Sequence, residues 1–226
     1  MPIEQDFNDS IVYYDDWMQK ALPNFGDIFQ TAKEIIPFDP QQPIKVLDLG
    51  AGTGLFSKHV FDKYPYAQFV LFDLADKMLE VAQKRFQKYV DRFQYVIGDY
   101  RQISTEKKYD LVISSLSIHH LSDPDKKELF ARIHGLINKG GVFINVDQIR
   151  GETEGLQKLY WTHWLEQVRR SGAPAQQIEE SIHRRQAYDQ DALLSDQIQW
   201  FKDAGFEDVD CVYKNYFVGV FYGIKK

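Results

Sequence analysis

Among its 226 residues the chain has a single cysteine, Cys211, so no disulfide can form within it and no cysteine cluster is available for zinc. No apolar run approaches the roughly 18 residues that a membrane-spanning helix needs. The opening MPIEQDFND carries neither the basic region nor the apolar stretch of a secretion signal. A soluble, cytoplasmic protein with no membrane partner is the expectation. Positive charge is also scarce. There are 27 Lys and Arg against 33 Asp and Glu, a formal charge of −6, and the one local basic cluster is His183-Arg184-Arg185. Binding to a phosphate backbone needs a broad positive surface, so free nucleic acid is not expected as the main partner. No repeat, low-complexity stretch or acidic tail interrupts the chain.

What is present is enough apolar matter, 44% of residues, for a substantial core in one α/β domain with an embellishment. Strand-like runs near 44–49, 67–73, 93–98, 109–114 and 141–147 alternate with helical stretches at 55–63, 75–90 and 124–138. That alternation predicts a parallel sheet covered on both faces. Asp123-Pro124 reads as an N-cap followed by proline at the first helical position, and Asn138-Lys139-Gly140-Gly141 as a helix stop. Residues 151–188 hold no strand run, yet Leu156, Leu159, Tyr160, His163, Trp164 and Val168 recur at helical spacing. They form either a cover over a pocket or a face packed on the sheet. A helix at about 190–204 precedes two runs, Asp208 to Tyr213 and Tyr216 to Tyr222, separated by Lys214-Asn215 as in a β-hairpin. The divisions are thus a helical cap segment (1–43), a core (44–150), a helical cover insert (151–188) and a C-terminal part completing the same domain (189–226). The cap segment carries Phe7, Tyr13, Tyr14, Trp17, Phe25 and Phe29, which can close a pocket or fill the core.

Between Lys45 and Leu55 the chain reads KVLDLGAGTGL: a strand run containing Asp48 leads into Gly50, Gly52 and Gly54 on alternate positions. Strand, glycine turn and helix start together let backbone N–H groups meet a ligand with no side chain intervening. A dinucleotide fingerprint would need its third glycine where Leu55 stands, and a phosphate-cradling P-loop would need Lys and Ser/Thr in place of Leu55 and Phe56. A second apolar run, Phe69 to Phe72, ends at Asp73, nineteen residues beyond Gly54. A carboxylate there can accept from both hydroxyls of a ribose, or it can cap the helix that follows.

Taken together, KVLDLGAGTG, FDL, IGDY and SSLSIHHL resemble the motifs of class I S-adenosylmethionine-dependent methyltransferases across residues 44–148. The resemblance implies a Rossmann-like α/β fold: a seven-stranded, mostly parallel sheet with helices on both faces, an antiparallel C-terminal hairpin and a helical cover insert. It implies S-adenosyl-L-methionine as cofactor and a small-molecule substrate, and it is compatible with a homodimer. The cofactor would be held by Asp48, Gly50, Ala51, Gly52, Thr53 and Gly54, by Asp73 with Leu74 and Met78, by Asp99 and Tyr100, and by Ser115. In this family the residue matching Asp99 accepts from the adenine amino group while its neighbour flanks the ring; a plain turn carboxylate is the alternative.

The exit of the fourth strand, Ser115 to Leu121, should lie beside the reactive methyl group. Ser117 is therefore a candidate pocket residue, and His119 and His120 are candidate catalytic residues, since neutral imidazole can take a proton near pH 7. Many members of the superfamily need no base, because the sulfonium is already an activated donor. Adjacent histidines point in different directions and no third ligand stands at useful spacing, so no metal is expected. Tyr13, Tyr14 and Phe25 are candidates to close the pocket. The flanking segments are similar, more weakly, to carboxy-S-adenosylmethionine synthase, which modifies the cofactor and grips its extra carboxylate with a tail arginine. Arg185 or Arg184 is the counterpart here, the alternative being a solvated helix face. That synthase has a Gly-Cys-Ser turn in place of Gly50-Ala51-Gly52 and an asparagine near Ser115. Methyl transfer is accordingly the first expectation, cofactor modification the second, and a regulatory binding module without turnover the third.

Overall fold

The computed structural model describes residues 13–22 and 24–226. Phe7, one of the leading aromatics, lies outside them. Two helices, α1 (Tyr14–Ala21) and α2 (Phe25–Glu34), precede the sheet. The glycine-flanked apolar runs then form β1 (Lys45–Leu49), β2 (Gln68–Asp73), β3 (Phe93–Ile97) and β4 (Tyr109–Ser115), with α3 (Leu55–Lys63) and α4 (Asp76–Arg85) as crossovers. Next come α5 (Asp123–Leu136) and the long β5 (Ile137–Arg150). Because β1 and β4 are covered on both faces, they are buried nearly throughout rather than on alternate residues.

The spatial order is β3-β2-β1-β4-β5-β8-β7. Val46 of β1 faces Phe69 of β2 on one side and Leu111 of β4 on the other, both in parallel register. Sequence order therefore reverses between β1 and β4, and the crevice beyond their carboxyl ends is where such sheets bind ligands. The last elements are α6 (Glu154–Arg170), α7 (Ala175–Tyr188), β6 (Ala192–Leu193), α8 (Leu194–Asp203), β7 (Glu207–Asn215) and β8 (Val218–Ile224). β5 pairs in parallel with β4 and antiparallel with β8.

The differences from the sequence reading are local. The sheet has eight strands among the described residues rather than seven, because the two-residue β6 adds to the end of β5. The helix expected over 75–90 stops at Arg85, and a short 3-10 turn, Val90–Arg92, follows. Ser122, not Asp123, caps α5, its hydroxyl accepting from the Asp125 N–H at 3.3 Å, and Pro124 sits in the first turn. That helix ends at Leu136, and Asn138 to Gly141 bulge out of the β4–β5 ladder: Tyr109 faces Ile137, but Leu111 already faces Val142. The hairpin turns at Tyr216-Phe217 rather than at Lys214-Asn215. Tyr216 takes a left-handed φ of 49° and its ring stacks on His163, with centroids 3.6 Å apart.

The insert is both a cover and a packed face. Its Trp164 is buried, donates its indole N–H to the Ala21 carbonyl at 3.0 Å, and meets Phe217 edge-on. Burying a side chain of this size stabilises the α1–α6 contact by roughly 2–3 kcal/mol. None of the described helices is long and apolar enough to cross a membrane.

Gly54 shows how tightly the first crossover is packed. It adopts φ +75°, and a Cβ there would sit 2.8 Å from the Phe86 ring and 3.2 Å from Leu71. Phe86 cannot easily retreat, since its ring stacks on Phe93 at 3.8 Å. Gly54→Ala should therefore lower unfolding free energy by about 2–4 kcal/mol, from left-handed strain and overpacking together, as read from urea denaturation.

Candidate functional site

At the exit of β1 the chain makes a turn that only glycines can make. Gly50, Gly52 and Gly54 all have positive φ. The N–H groups of Gly50 and Ala51 both donate to the Phe72 carbonyl, at 2.8 and 3.2 Å, and the Gly52 N–H donates to Asp73 Oδ2 at 2.7 Å. A Cβ on Gly50 would fall 1.9 Å from Ser117 Oγ, so this position is barred to any other residue while Ser117 keeps its place. Asp73 Oδ1 accepts from the Ala75 N–H at 2.8 Å. Asp73 thus braces Ala75, the residue just before the next helix, and pins the glycine turn, with lone pairs left over for a ligand. Burial pushes its pKa upward, against the pull of these backbone bonds.

Two cavities meet at this point. The first, about 210 Å³, lies over the glycine turn; Gly50, Gly52, Asp73, Leu74, Met78 and Tyr100 contribute to its wall. The Tyr100 hydroxyl sits 3.2 Å from Ser117 Oγ and from the Ser117 carbonyl. Asp99 is on the rim, where its carboxylate accepts from the main chain and guanidinium of Arg101, a pairing that holds its pKa below the usual range. The second cavity, about 100 Å³, lies beneath the insert, with Trp17, Trp164 and Phe217 on its apolar side and Arg184, Arg185 and Asp189 on its polar side. Tyr14, Leu116 and His120 belong to the walls of both. Leu116 holds that place in a left-handed conformation, φ 50°, with its N–H bonded to the Val146 carbonyl.

A buried polar network forms the floor of the second cavity. His119 Nδ1 is 2.5 Å from Asp147 Oδ1, and its Nε2 is 2.9 Å from the Gln148 amide nitrogen and 3.5 Å from Asp189 Oδ1. Burial alone would lower the His119 pKa, but the Asp189 and Asp147 carboxylates outweigh it and raise it to about 10. His120 Nδ1 is 3.2 Å from the same Asp189 oxygen, yet burial and the neighbouring His119 lower its pKa. Arg185 reaches Asp189 at 3.5 Å and Asp191 at 3.2 Å while its guanidinium lies over the rings of Trp161, Trp164 and Phe217. It is therefore not on a solvated helix face.

The remaining expectations divide by position. Asp48 faces away from the first cavity: strand alternation turns it toward α3, where Ser57 Oγ donates to Asp48 Oδ2 at 2.6 Å. Gly54 backs onto Phe86, not onto the cavity. Ala51, Thr53 and Ser115 line only a small space of about 20 Å³ beneath the turn. Phe25 lines none of these spaces, because its ring packs on Phe29 and His59. Tyr13 acts at a distance from the cavities, donating its hydroxyl to Glu180 of α7 at 2.6 Å. Several site residues gave no sequence signal. Asp15 accepts from the Thr53 hydroxyl at 2.6 Å and pairs with Arg85, tying α1 to the glycine turn. Asp189 joins the histidines from 69 residues beyond His120, a separation no local spacing rule detects. Asp147 and Gln148 sit at the end of β5, where a polar pair closing an apolar strand was the available clue.

The family model described as "Methyltransferase domain" matches residues 46–141. This stretch resembles a methyltransferase domain. Around it, the chain is 22% identical to carboxy-S-adenosyl-L-methionine synthase of Campylobacter lari, covering 94% of this chain and 92% of that protein. It is 25% identical over 139 residues to malonyl-[acyl-carrier protein] O-methyltransferase 1 of Ilyobacter polytropus, covering 62% of this chain and only 49% of that relative's length. Human N-acetylserotonin methyltransferase, solved with its cofactor, shares the fold at TM-score 0.65 and 18% identity, covering 98% of this chain and 56% of that one.

Asp48 gives this stretch a pH signature. Burial drives its pKa up to about 7, against a smaller downward pull from Ser57. A carboxyl whose pKa is raised on folding is better tolerated protonated, so stability should fall as pH rises from about 4 to about 7 and level off above. Asp48→Asn should flatten that slope and raise the melting temperature at pH 8, measured by calorimetry across the range; an unchanged slope would place the carboxyl in a polar setting.

Proposed function

We propose that the protein is an S-adenosyl-L-methionine-dependent methyltransferase acting on a small-molecule acceptor. The observation that carries this reading is the pair of adjoining cavities, one built over a side-chain-free turn and a strand-end carboxylate, the other lined by aromatic rings, meeting at Tyr14, Leu116 and His120. The first cavity fits the adenosyl cofactor. Asp73 offers acceptor capacity for two ribose hydroxyls beside the bare backbone of Gly50 and Gly52, and Leu74 and Met78 offer apolar contact. Bound there, the cofactor supplies an activated methyl group. The chain's own work is then to hold the acceptor in the second cavity, aligned with the opening between the two, and to keep water out with α1 and the insert.

The size of the second cavity favours a small acceptor, and its rings Trp17, Trp164 and Phe217 favour one with an apolar part. A second reading, modification of the cofactor itself, is favoured by the near full-length likeness to carboxy-S-adenosyl-L-methionine synthase and by Arg184 and Arg185 on the second cavity. Arg185 is already paired with Asp189 and Asp191, which leaves Arg184 as the better partner for an added carboxylate.

Calorimetric titration with S-adenosylmethionine tests the first half of the proposal, and absence of binding at millimolar concentration removes it. Asp73→Ala should weaken that binding by about 1–3 kcal/mol through loss of the ribose acceptor, whereas unchanged affinity makes the carboxylate purely structural. Mass spectrometry of small molecules retained by the purified protein separates the two readings: the demethylated cofactor supports transfer, the carboxylated form supports modification. Conversion of donor to S-adenosylhomocysteine with a small acceptor distinguishes either from a binding module.

A further inference from the structure

We infer that His119, His120 and Asp189 form a binding site for one divalent transition-metal cation of the zinc type, opening into the second cavity. The inference goes beyond methyl transfer and does not depend on it. One ring nitrogen from each histidine and a carboxylate oxygen of Asp189 lie within 4.8 Å of one another. The two separations to Asp189 Oδ1 are 3.5 Å from His119 Nε2 and 3.2 Å from His120 Nδ1. Ligands held about 2.0–2.2 Å from a tetrahedral ion stand about 3.4 Å apart, so both distances match a shared ion.

The surroundings supply what such a site requires. His119 turns its other nitrogen, Nδ1, onto Asp147 Oδ1, the carboxylate–histidine arrangement that fixes a ligating ring, and its Nε2 would exchange the 2.9 Å contact with the Gln148 amide nitrogen for the ion. Asp189 is held from behind in the same way: its second oxygen accepts from the Gln148 amide at 2.9 Å and faces Arg185 Nε at 3.5 Å. Gln148 is 8% exposed, belongs to the wall of the same cavity, and its Oε1 has no hydrogen-bond partner among the described residues. All three candidate ligands line the second cavity, which provides an entry path and open coordination positions.

Charge points the same way. Asp147, Asp189 and Asp191 have side chains 2%, 8% and 11% exposed, and Arg185 is the one permanent cation paired with them among the described residues. Three buried carboxylates against one guanidinium leave an excess of negative charge that a divalent ion would offset.

The experiment is titration of the tag-free, chelator-treated full chain with cobalt(II), followed by visible d–d absorption. Saturation at one equivalent is expected, with His120→Gln and Asp189→Asn each weakening binding at least tenfold and His163→Gln leaving it unchanged. Asp147→Asn, which removes only the outer partner, should weaken binding about tenfold while keeping native circular dichroism. In the unsubstituted protein, anomalous diffraction from a cobalt-soaked crystal should give a peak between the three side chains. No saturable absorption at millimolar cobalt, parental affinity in both His120→Gln and Asp189→Asn, or an anomalous peak elsewhere would overturn the inference.

Discussion

The bonds that fasten the end of β1 to the end of β2 are the constraint on which the rest of the site depends. The carbonyl of Phe72 takes two N–H groups from the glycine turn, and the carboxylate of Asp73 takes a third. This forces three left-handed residues into five positions, which glycine adopts without a side-chain clash. It also draws the turn so close to Ser117 that the exits of β1, β2 and β4 share one small floor. The first cavity exists because that floor is bare of side chains, and its position at the reversal of strand order follows from the sheet's topology.

The second cavity depends on β5. That strand is the seam where parallel pairing gives way to antiparallel pairing, and it runs past the sheet far enough to present Asp147 and Gln148 beyond the last bond to β4. The insert then folds back so that Asp189, Asp191 and Arg185 close over those residues, while Trp164 anchors the same insert to α1. Aromatic packing and buried charge act at one place: the Arg185 guanidinium is held by carboxylates at its donors and by rings at its face.

Much of this was legible in the sequence, and what was not has physical reasons. The alternation of apolar runs with helical ones, the glycine spacing and Asp73 lead directly to the sheet and the first cavity, because each is a local pattern read on a chain of known periodicity. A strand shows its acid in the sequence without showing which face it takes, and the face of Asp48 meets Ser57. An aromatic that lines a pocket and one that packs on its neighbours look the same in sequence, and Phe25 packs on Phe29. The Asn138 to Gly141 segment carries helix-stop residues yet serves as a bulge, since the helix had already ended and the glycines are needed where the ladder skips. Asp189, Asp147 and Gln148 come to the histidines only through tertiary folding, and no spacing rule reaches across the insert.

Leu116 deserves its strained backbone for a reason that concerns evolution as much as energy. A branched-chain residue with φ 50° costs about 1–2 kcal/mol relative to glycine, which alone would relieve it by removing the Cβ. The side chain nevertheless stands as a bulkhead between two chambers that are otherwise anchored by separate sets of residues. Leu116 is one of three residues, with Tyr14 and His120, common to both walls, so a change of its side chain alone would widen or narrow the passage without rebuilding either chamber.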